Sequence, residues 1–276
     1  MNQRGEADIL RSSEAVGSDV RSDRPRVAFF GGSFDPPHLG HLAIARAASA
    51  AFALDAVLFA PVGMQPLKPE GPAASFEDRL EMTRLAIAGE PRFEISLVDA
   101  PKLQGAPTLP DAPFAAAGAR CAPNYTIDTL EDLRASLAPG GTLYCLMGAD
   151  SFFGLRAWRR AAELPFVAPL IVASRPGQPL EGIADALPPE LRFERLPAED
   201  RAVSGVEVRG FALMNDAGDR APLYVLRGLH VEVSASEIRS RIRTQMQAAL
   251  GDTTSVPDLV PAAVLGYIRE HGLYRT

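Results

Sequence analysis

The sequence predicts an α/β fold: a doubly wound, Rossmann-like parallel sheet with helices on both faces. Apolar, β-prone runs alternate with stretches of helical character, and these runs occupy residues 26–30, 56–60, 93–98, 143–147, 170–173 and 229–233. Parallel strands need long crossover connections, usually helices, so this alternation favours a parallel sheet. Such sheets bind ligands at the carboxyl ends of their strands, where the strand order reverses. We therefore expect a binding site beside the end of the first strand.

The first two helices are predicted from composition and capping. An Ala-rich stretch at residues 42–54 follows the glycine- and proline-rich turn after the first strand. A second helix is expected at residues 75–88, where Ser75 and Asp78 have the spacing of a capping pair. Each helix would connect two parallel strands.

The C-terminal part is predicted to contain a two-stranded turn and a further helix. Residues 206–208 and 223–226 flank the turn-forming segment 215–219. Ser234 and Glu237 have capping-box spacing, so Ser234 is expected to be a helix N-cap. The helix should then bury three apolar side chains that recur every four residues, namely Ile238, Ile242 and Met246.

The length of the chain suits one large domain. With 276 residues and 47% hydrophobic content it can bury a sizeable core. The polar residues 1–25 are expected to be a disordered N-terminal extension, and residues 26–276 to form the domain. Within it, residues 102–122 are rich in Pro and Ala and are predicted to be a loop insertion with little regular structure.

Charge and composition exclude several classes of protein. A formal net charge of -6 argues against non-specific nucleic-acid binding, which depends on clustered Lys and Arg. No apolar run approaches the roughly 20 residues that cross a bilayer, so no membrane partner is expected. The two cysteines lack a C-x-x-C spacing, which indicates a reducing compartment and a cytoplasmic protein. Cys145 lies in an apolar strand and should be inert core. The oligomeric state is not predicted.

The turn after the first strand reads Gly31-Gly32-Ser33-Phe34-Asp35-Pro36-Pro37-His38-Leu39-Gly40-His41. It has the spacing of neither a dinucleotide fingerprint nor a P-loop. His38 and His41 share one helix face, at a helix start whose N–H groups and dipole suit phosphate, and Gly40 leaves room for a nucleotide. A metal site would need further ligands, and the remaining candidates are scattered: His230, His271, Cys121 and Cys145. We predict a triphosphate site and no dedicated metal site.

This turn resembles the G-G-[ST]-F-D-P-x-H-x-G-H signature of nucleotidyltransferases that transfer AMP or CMP from a nucleoside triphosphate. Further motifs follow in order: Pro123-Asn124-Tyr125-Thr126, Gly148-Ala149-Asp150-Ser151, Trp158, Ser174-Arg175-Pro176-Gly177, Ser234-Ala235-Ser236-Glu237-Ile238-Arg239 and Gly272-Leu273-Tyr274-Arg275. Together they resemble the bacterial nicotinate-nucleotide adenylyltransferases, over nearly everything from Arg26 to the C-terminus. The resemblance implies transfer of AMP from ATP to nicotinate mononucleotide, giving deamido-NAD and pyrophosphate in NAD biosynthesis.

The resemblance also implies roles for individual residues. The expected catalytic residues are His38, His41, Lys68 and Arg239. The expected ATP-binding residues are Gly31, Gly32, Ser33, Phe34, Gly40, Gly148, Asp150, Arg175 and Ser236. The expected acceptor residues are Tyr125, Thr126, Trp158 and Arg159. Because the acceptor's phosphate is already ionised, no general base is needed, and the expected cofactor, Mg²⁺, should bind largely through phosphate oxygens and water.

Alternatives stay open at several of these positions. Lys68 and Arg239 could equally be solvated surface residues, and Asp150 could be a helix cap. Trp158 could be a core residue instead of a stacking platform. The family normally carries His-Lys where this chain has Leu67-Lys68, so one polar donor is lost. Nicotinamide mononucleotide, phosphopantetheine or flavin mononucleotide are alternative acceptors. A nucleotide-binding regulator that has lost turnover is the alternative from another class, supported by Leu67 and by the insertion at 102–122.

Overall fold

A computed structural model describes residues 24–67, 70–103, 121–174, 182–229, 234–247 and 259–275. The strands are β1 (Arg26–Gly32), β2 (Ala56–Pro61), β3 (Phe93–Ile95), β4 (Lys102–Leu103), β5 (Cys121–Ala122), β6 (Thr142–Gly148), β7 (Leu170–Ala173), β8 (Arg192–Arg195), β9 (Arg201–Val203), β10 (Val206–Met214) and β11 (Arg220–Arg227). The helices are α1 (Leu39–Phe52), α2 (Phe76–Ile87), α3 (Thr126–Ser136), α4 (Ala149–Phe153), α5 (Leu164–Val167), α6 (Ile183–Ala186), α7 (Ala235–Gln247) and α8 (Ala262–Glu270).

Among the described residues, nine strands form one central sheet in the order β3-β2-β1-β6-β7-β11-β10-β8, with β9 also paired to β10. All neighbours from β3 to β11 are parallel, whereas β10 pairs antiparallel with β11, β8 and β9. The chain runs outward from β1 through β2 to β3, and then returns to place β6 on the other side of β1. The predicted mostly parallel, doubly wound sheet is confirmed, and its order reverses between β1 and β6.

Helices cover both faces of the sheet. On one face, apolar residues of α1, α2, α7 and α8 pack in one core with Ala28 and Phe30 of β1. On the other, residues of α3, α4, α5 and α6 pack in a second core with Phe29. Successive side chains of a strand point to opposite faces, so a continuous apolar run such as β1 supplies both cores.

The predicted capping residues are confirmed, and so is the burial of two of the three apolar residues predicted for α7. Ser75 Oγ accepts the N–H of Asp78 at 3.0 Å at the start of α2, and Ser234 Oγ accepts the N–H of Glu237 at 3.1 Å at the start of α7. Ile238 and Ile242 are buried as expected, while the side chain of Met246 lies outside the described set. Cys145 is buried in β6, which raises the pKa of its thiol to about 12, as expected of inert core.

Two predicted strand boundaries were wrong. The final parallel strand is β11, not residues 229–233: Gly228, with φ of 83°, breaks the chain direction after Arg227, and Leu229 follows outside any strand. Residues 230–233 lie outside the described set. The two strands predicted around the turn at 215–219 are confirmed, because the run 223–226 pairs antiparallel with β10; the same run also pairs parallel with β7. The run predicted at 93–98 forms a strand only over β3.

The predicted insertion is bounded by regular structure. Its two ends form the antiparallel pair of β4 and β5 instead of loop, and residues 104–120 lie outside the described set. The predicted N-terminal extension also lies outside it up to residue 23. Among the helices that the structure describes, none has the length and apolar content to span a membrane.

Candidate active site

A cavity of about 630 Å³ opens at the carboxyl ends of β1 and β6, where the strand order reverses. This volume falls within the range of small-molecule sites. Every described residue that the sequence assigned to catalysis, ATP or the acceptor lines it: Gly31, Gly32, Ser33, Phe34, His38, Gly40, His41, Tyr125, Thr126, Gly148, Asp150, Trp158, Arg159, Ser236 and Arg239. Lys68 and Arg175 lie outside the described residues.

The two motif histidines meet at the start of α1. His38 is the N-cap residue and His41 lies three positions later. Their rings stack with centroids 3.7 Å apart, so the shared helix face expected from their spacing exists. The ring of His41 also meets the edge of the Phe34 ring at 5.0 Å.

A backbone amide fixes the proton of His41. The N–H of His38 donates to Nδ1 of His41 at 3.1 Å, so Nδ1 must be unprotonated and the neutral ring carries its hydrogen on Nε2. Burial, together with the neighbouring His38, holds the pKa of His41 well below its usual value. His41 is therefore a neutral hydrogen-bond donor near pH 7, rather than a cation or a base.

The turn between β1 and α1 has a constrained backbone. Phe34 adopts φ of 47°, in the left-handed region that bulky residues seldom enter, and its ring is buried against Phe30 and Phe59. The ring is therefore core, and only the backbone of Phe34 is left to meet a ligand. A side chain at Gly31 would approach the buried Phe29 ring to 2.6 Å, so a larger residue would force that ring to move.

Asp35 anchors this turn from within the protein. Its carboxylate is buried and accepts the N–H of Ala73 at 2.7 Å, the N–H of Ala74 at 3.1 Å and the hydroxyl of Tyr274 at 2.8 Å. Each contact comes from a segment far from the turn in sequence. Asp35 thus joins the turn to the residues before α2 and to the C-terminus.

Arg79 supports the same turn from α2, and the sequence prediction missed it. Its guanidinium is buried and donates to the carbonyl of Ser33 at 2.8 Å and to the carbonyl of Val62 at 2.9 Å. Burial lowers the pKa of Arg79, and the nearby charge of Asp35 opposes that effect. Because Arg79 holds the Ser33 carbonyl, it fixes the orientation of the following planar peptide. The sequence feature that could have indicated this role is a charged residue on the mostly apolar stripe of α2.

Ser236 and Arg239 face the histidines from the first turn of α7. Nη1 of Arg239 donates to the carbonyl of Asp35 at 2.6 Å, and Nη2 lies 3.3 Å from Oγ of Ser236. The Arg239 side chain retains 26% of its surface exposed. Arg239 is therefore held at the pocket wall rather than solvated, and the hydroxyl of Ser236 is not consumed by the helix cap.

Another wall of the cavity carries the predicted acceptor residues. Arg159 places its guanidinium 4.6 Å from the centre of the Tyr125 ring and 3.6 Å from the carboxylate of Asp128. Trp158 is partly buried against the second core and also lines the cavity, so its packing in the core leaves it accessible to a ligand. Gly148, not Asp150, is the N-cap of α4, which removes the helix-cap alternative for Asp150.

Asn124 and Asp99 complete this wall, and neither was assigned a role from the sequence. Asn124 is buried; its N–H donates to the carbonyl of Met64, its Oδ1 accepts the N–H of Met64, and its Nδ2 donates to the carbonyl of Ala100. Asp99 is buried beside the cavity and accepts the hydroxyl of Thr129. Burial raises the pKa of Asp99. The sequence feature that could have indicated a role for Asp99 is its position directly after the apolar run at 93–98.

No group of three or more His, Cys, Asp or Glu side chains that would hold a metal ion occurs among the described residues. Leu67 lines the cavity with 55% of its surface exposed, at the position where the resembled family has histidine. The pocket therefore offers nitrogen donors, hydroxyls and single carboxylates.

Comparisons with known proteins agree with this arrangement. Residues 29–241 match the sequence profile of the cytidylyltransferase-like family. A protein of Solibacter usitatus named probable nicotinate-nucleotide adenylyltransferase is 35% identical over 249 residues, which cover 90% of this chain and 99% of the relative. A protein of Thermus thermophilus with the same name is 34% identical, covering 91% and 100%. The fold matches a solved structure of Plasmodium falciparum nicotinic acid mononucleotide adenylyltransferase complexed with NaAD at a TM-score of 0.58, with 15% identity and coverage of 91% and 98%.

Proposed function

The chain belongs to the nicotinate-nucleotide adenylyltransferases, within the cytidylyltransferase-like family, and we propose that it transfers AMP from ATP to nicotinate mononucleotide. The products are deamido-NAD and pyrophosphate. The observation that carries the proposal is that one cavity is lined by His38, His41, Ser236 and Arg239 and also by the aromatic residues Tyr125 and Trp158. The first group suits a triphosphate and the second a flat pyridine nucleotide.

The triphosphate side is proposed to work by positioning and charge stabilisation. His41 donates from Nε2, since its Nδ1 is engaged by the backbone. Arg239 supplies a positive charge, and Ser236 a hydroxyl, on the far side of the cavity. We assign Gly31, Gly32, Ser33, the backbone of Phe34, and Gly40 to close contact with the nucleotide. For Lys68 and Arg175, which lie outside the described residues, the ATP-binding roles are proposed from the family resemblance alone. Gly148 and Asp150 are assigned to the nucleoside, with Asp150 accepting from ribose hydroxyls.

The acceptor side is proposed to hold nicotinate mononucleotide through stacking and backbone amides. Trp158 lines the cavity and is proposed to stack on the pyridine ring, and the guanidinium of Arg159 lies over the ring of Tyr125. Thr126 begins α3, whose free amides and dipole favour a carboxylate. This preference supports nicotinate over nicotinamide as the pyridine, because only nicotinate carries that charge.

The reaction needs no general base. An oxygen of the acceptor's phosphate, already ionised near neutral pH, attacks the α-phosphorus of ATP. The new phosphorus–oxygen bond forms as the bond to the β-phosphate breaks, and pyrophosphate leaves with the electron pair. Negative charge grows on the leaving pyrophosphate, where His41, Ser236 and Arg239 would stabilise it. The amide-bound Nδ1 and protonated Nε2 of His41 agree with a donor role and not with proton abstraction.

The residues of the cavity are compatible with magnesium that is bound to the triphosphate substrate. The carboxylate of Asp35 is occupied by two amides and a hydroxyl, and the described residues provide no cage of three carboxylate or imidazole ligands. We propose that Mg²⁺ arrives on the triphosphate, coordinated by phosphate oxygens and water, where it would neutralise phosphate charge. The protein's own part is to bind and orient that complex.

The proposal is tested by a coupled pyrophosphate assay on the purified protein with ATP and Mg²⁺. Nicotinate mononucleotide, nicotinamide mononucleotide, phosphopantetheine and flavin mononucleotide are offered separately. We expect release with nicotinate mononucleotide at a kcat/KM well above that for the others. Release with another acceptor only would overturn the substrate assignment. ATP binding without release for any acceptor would favour the regulator, the alternative that Leu67 supports.

A further inference from the structure

Tyr274, near the C-terminal end of the chain, reaches the phosphate side of the cavity through Asp35. Its hydroxyl donates to Oδ1 of Asp35 at 2.8 Å, and both side chains are buried. The two residues lie 239 positions apart in the sequence. The hydroxyl therefore links the C-terminal segment to the turn after β1.

The donors around Asp35 are divided between its two oxygens. Oδ1 accepts from Ala74 and Tyr274, and Oδ2 accepts from Ala73. Nη1 of Arg239 also lies near Oδ2, at 3.6 Å, which is beyond a good hydrogen bond. The same Nη1 atom instead donates to the backbone carbonyl of Asp35 at 2.6 Å. Arg239 thus hydrogen-bonds to the backbone carbonyl of Asp35 and not to its carboxylate.

Tyr274 also has an unfavourable backbone conformation. Its φ of 64° lies in the left-handed region, as does the φ of 47° at Phe34, next to Asp35. Bulky residues persist there only when their surroundings over-determine the conformation, and such positions cluster at functional sites. Two unusual conformations therefore flank one buried carboxylate at the wall of the cavity.

We propose that Tyr274 is a positioning residue for Arg239. By donating to Asp35, its hydroxyl satisfies the carboxylate, so Arg239 keeps its guanidinium available to the triphosphate. Without that donor, Asp35 would be under-bonded in a buried site, and Arg239 is the cation best placed to replace it. The inference rests on the proposed function only in taking a nucleoside triphosphate as the ligand.

The chain offers a matched control. Tyr267 also donates its hydroxyl to an aspartate, Asp78, at 3.0 Å, from the same C-terminal region but outside the cavity lining. The substitutions Tyr274→Phe and Tyr267→Phe therefore remove the same kind of bond and differ in its location. Both variants are first shown by thermal unfolding to be folded at the assay temperature.

For Tyr274→Phe we expect kcat/KM for ATP to fall about three- to tenfold, since one hydrogen bond to a charged group is transmitted to a neighbouring side chain. The KM of the acceptor should not change, and Tyr267→Phe should match the unchanged protein. An equal effect of the two substitutions, or no effect of Tyr274→Phe, would overturn the proposal.

A double-mutant cycle separates positioning from general stability. In an Arg239→Gln background, Tyr274→Phe should no longer change kcat/KM for ATP, because the residue through which it acts is gone. An undiminished effect there would show that Tyr274 does not act through Arg239. If the unchanged protein releases no pyrophosphate, the proposed function fails, and the ATP affinity of the same variants by calorimetry still tests the role of Tyr274 separately.

Discussion

The strongest prediction concerns the two nitrogens of His41, which have different tasks. Nδ1 accepts the N–H of His38 at 3.1 Å, and Nε2 carries the proton that faces the triphosphate in the proposed mechanism. His41→Asn keeps an acceptor near Nδ1 and removes the Nε2 donor. His41→Gln keeps a donor near Nε2 and removes the Nδ1 acceptor. The two substitutions therefore separate the capping role from the catalytic role.

The expected magnitudes follow from these contacts. Both variants lose the ring contacts with His38 and Phe34, worth about 0.5–1.5 kcal/mol. His41→Gln also loses the cap and should unfold with about 1 kcal/mol less free energy than His41→Asn. Loss of one donor to developing charge costs about 10²–10³ in kcat, so His41→Asn should fall by that factor and His41→Gln by much less.

The assay pairs kcat for pyrophosphate release with the free energy of unfolding in urea. We expect opposite orders: His41→Asn is the more stable variant and the slower enzyme. The reasoning would be refuted if His41→Asn kept kcat within about threefold of the unchanged protein. Equal losses of kcat in the two variants would also refute it.

Two further predictions use the pocket's other walls. Leu67→His should raise kcat several-fold, because it restores a hydrogen-bond donor in the cavity. The control Met64→His lies in the same loop but outside the cavity lining, and it should leave kcat unchanged. Equal values of kcat for the two variants would contradict this prediction. Burial raises the pKa of Asp99 in the folded protein. Burying the charged carboxylate therefore lowers the free energy of unfolding, and this loss is absent below the usual pKa of an aspartate and grows as pH rises through the pKa of Asp99 in the folded protein. The unchanged protein should therefore lose more stability between acidic and neutral pH than Asp99→Asn does, and parallel unfolding curves would refute the sign.

The fold was predictable where local patterns determine it. Apolar runs and capping pairs are short-range signals, and they located β1, β2, β6, β7, α2 and the start of α7. The error at residues 229–233 arose because apolar content alone does not show where a strand ends, and Gly228 ended it earlier. Periodicity also cannot tell that one run pairs on both sides, as β11 does.

The site was predictable as far as its motifs are contiguous. The turn from Gly31 to His41 and the first turn of α7 are each one segment whose residue types suit phosphate. Arg79 and Tyr274 were not assigned because their partners lie 46 and 239 positions away, and only the folded chain brings them together. The tautomer of His41 likewise depends on the geometry of one hydrogen bond, which residue spacing does not specify.

The most direct test of the account is the identity of the product formed from ATP, Mg²⁺ and nicotinate mononucleotide. Pyrophosphate release is followed by coupled assay, and the nucleotide product is identified by mass spectrometry. We predict one deamido-NAD for each pyrophosphate, with nicotinate mononucleotide strongly preferred over nicotinamide mononucleotide. Pyrophosphate release with a different acceptor, and none with nicotinate mononucleotide, would contradict the central claim.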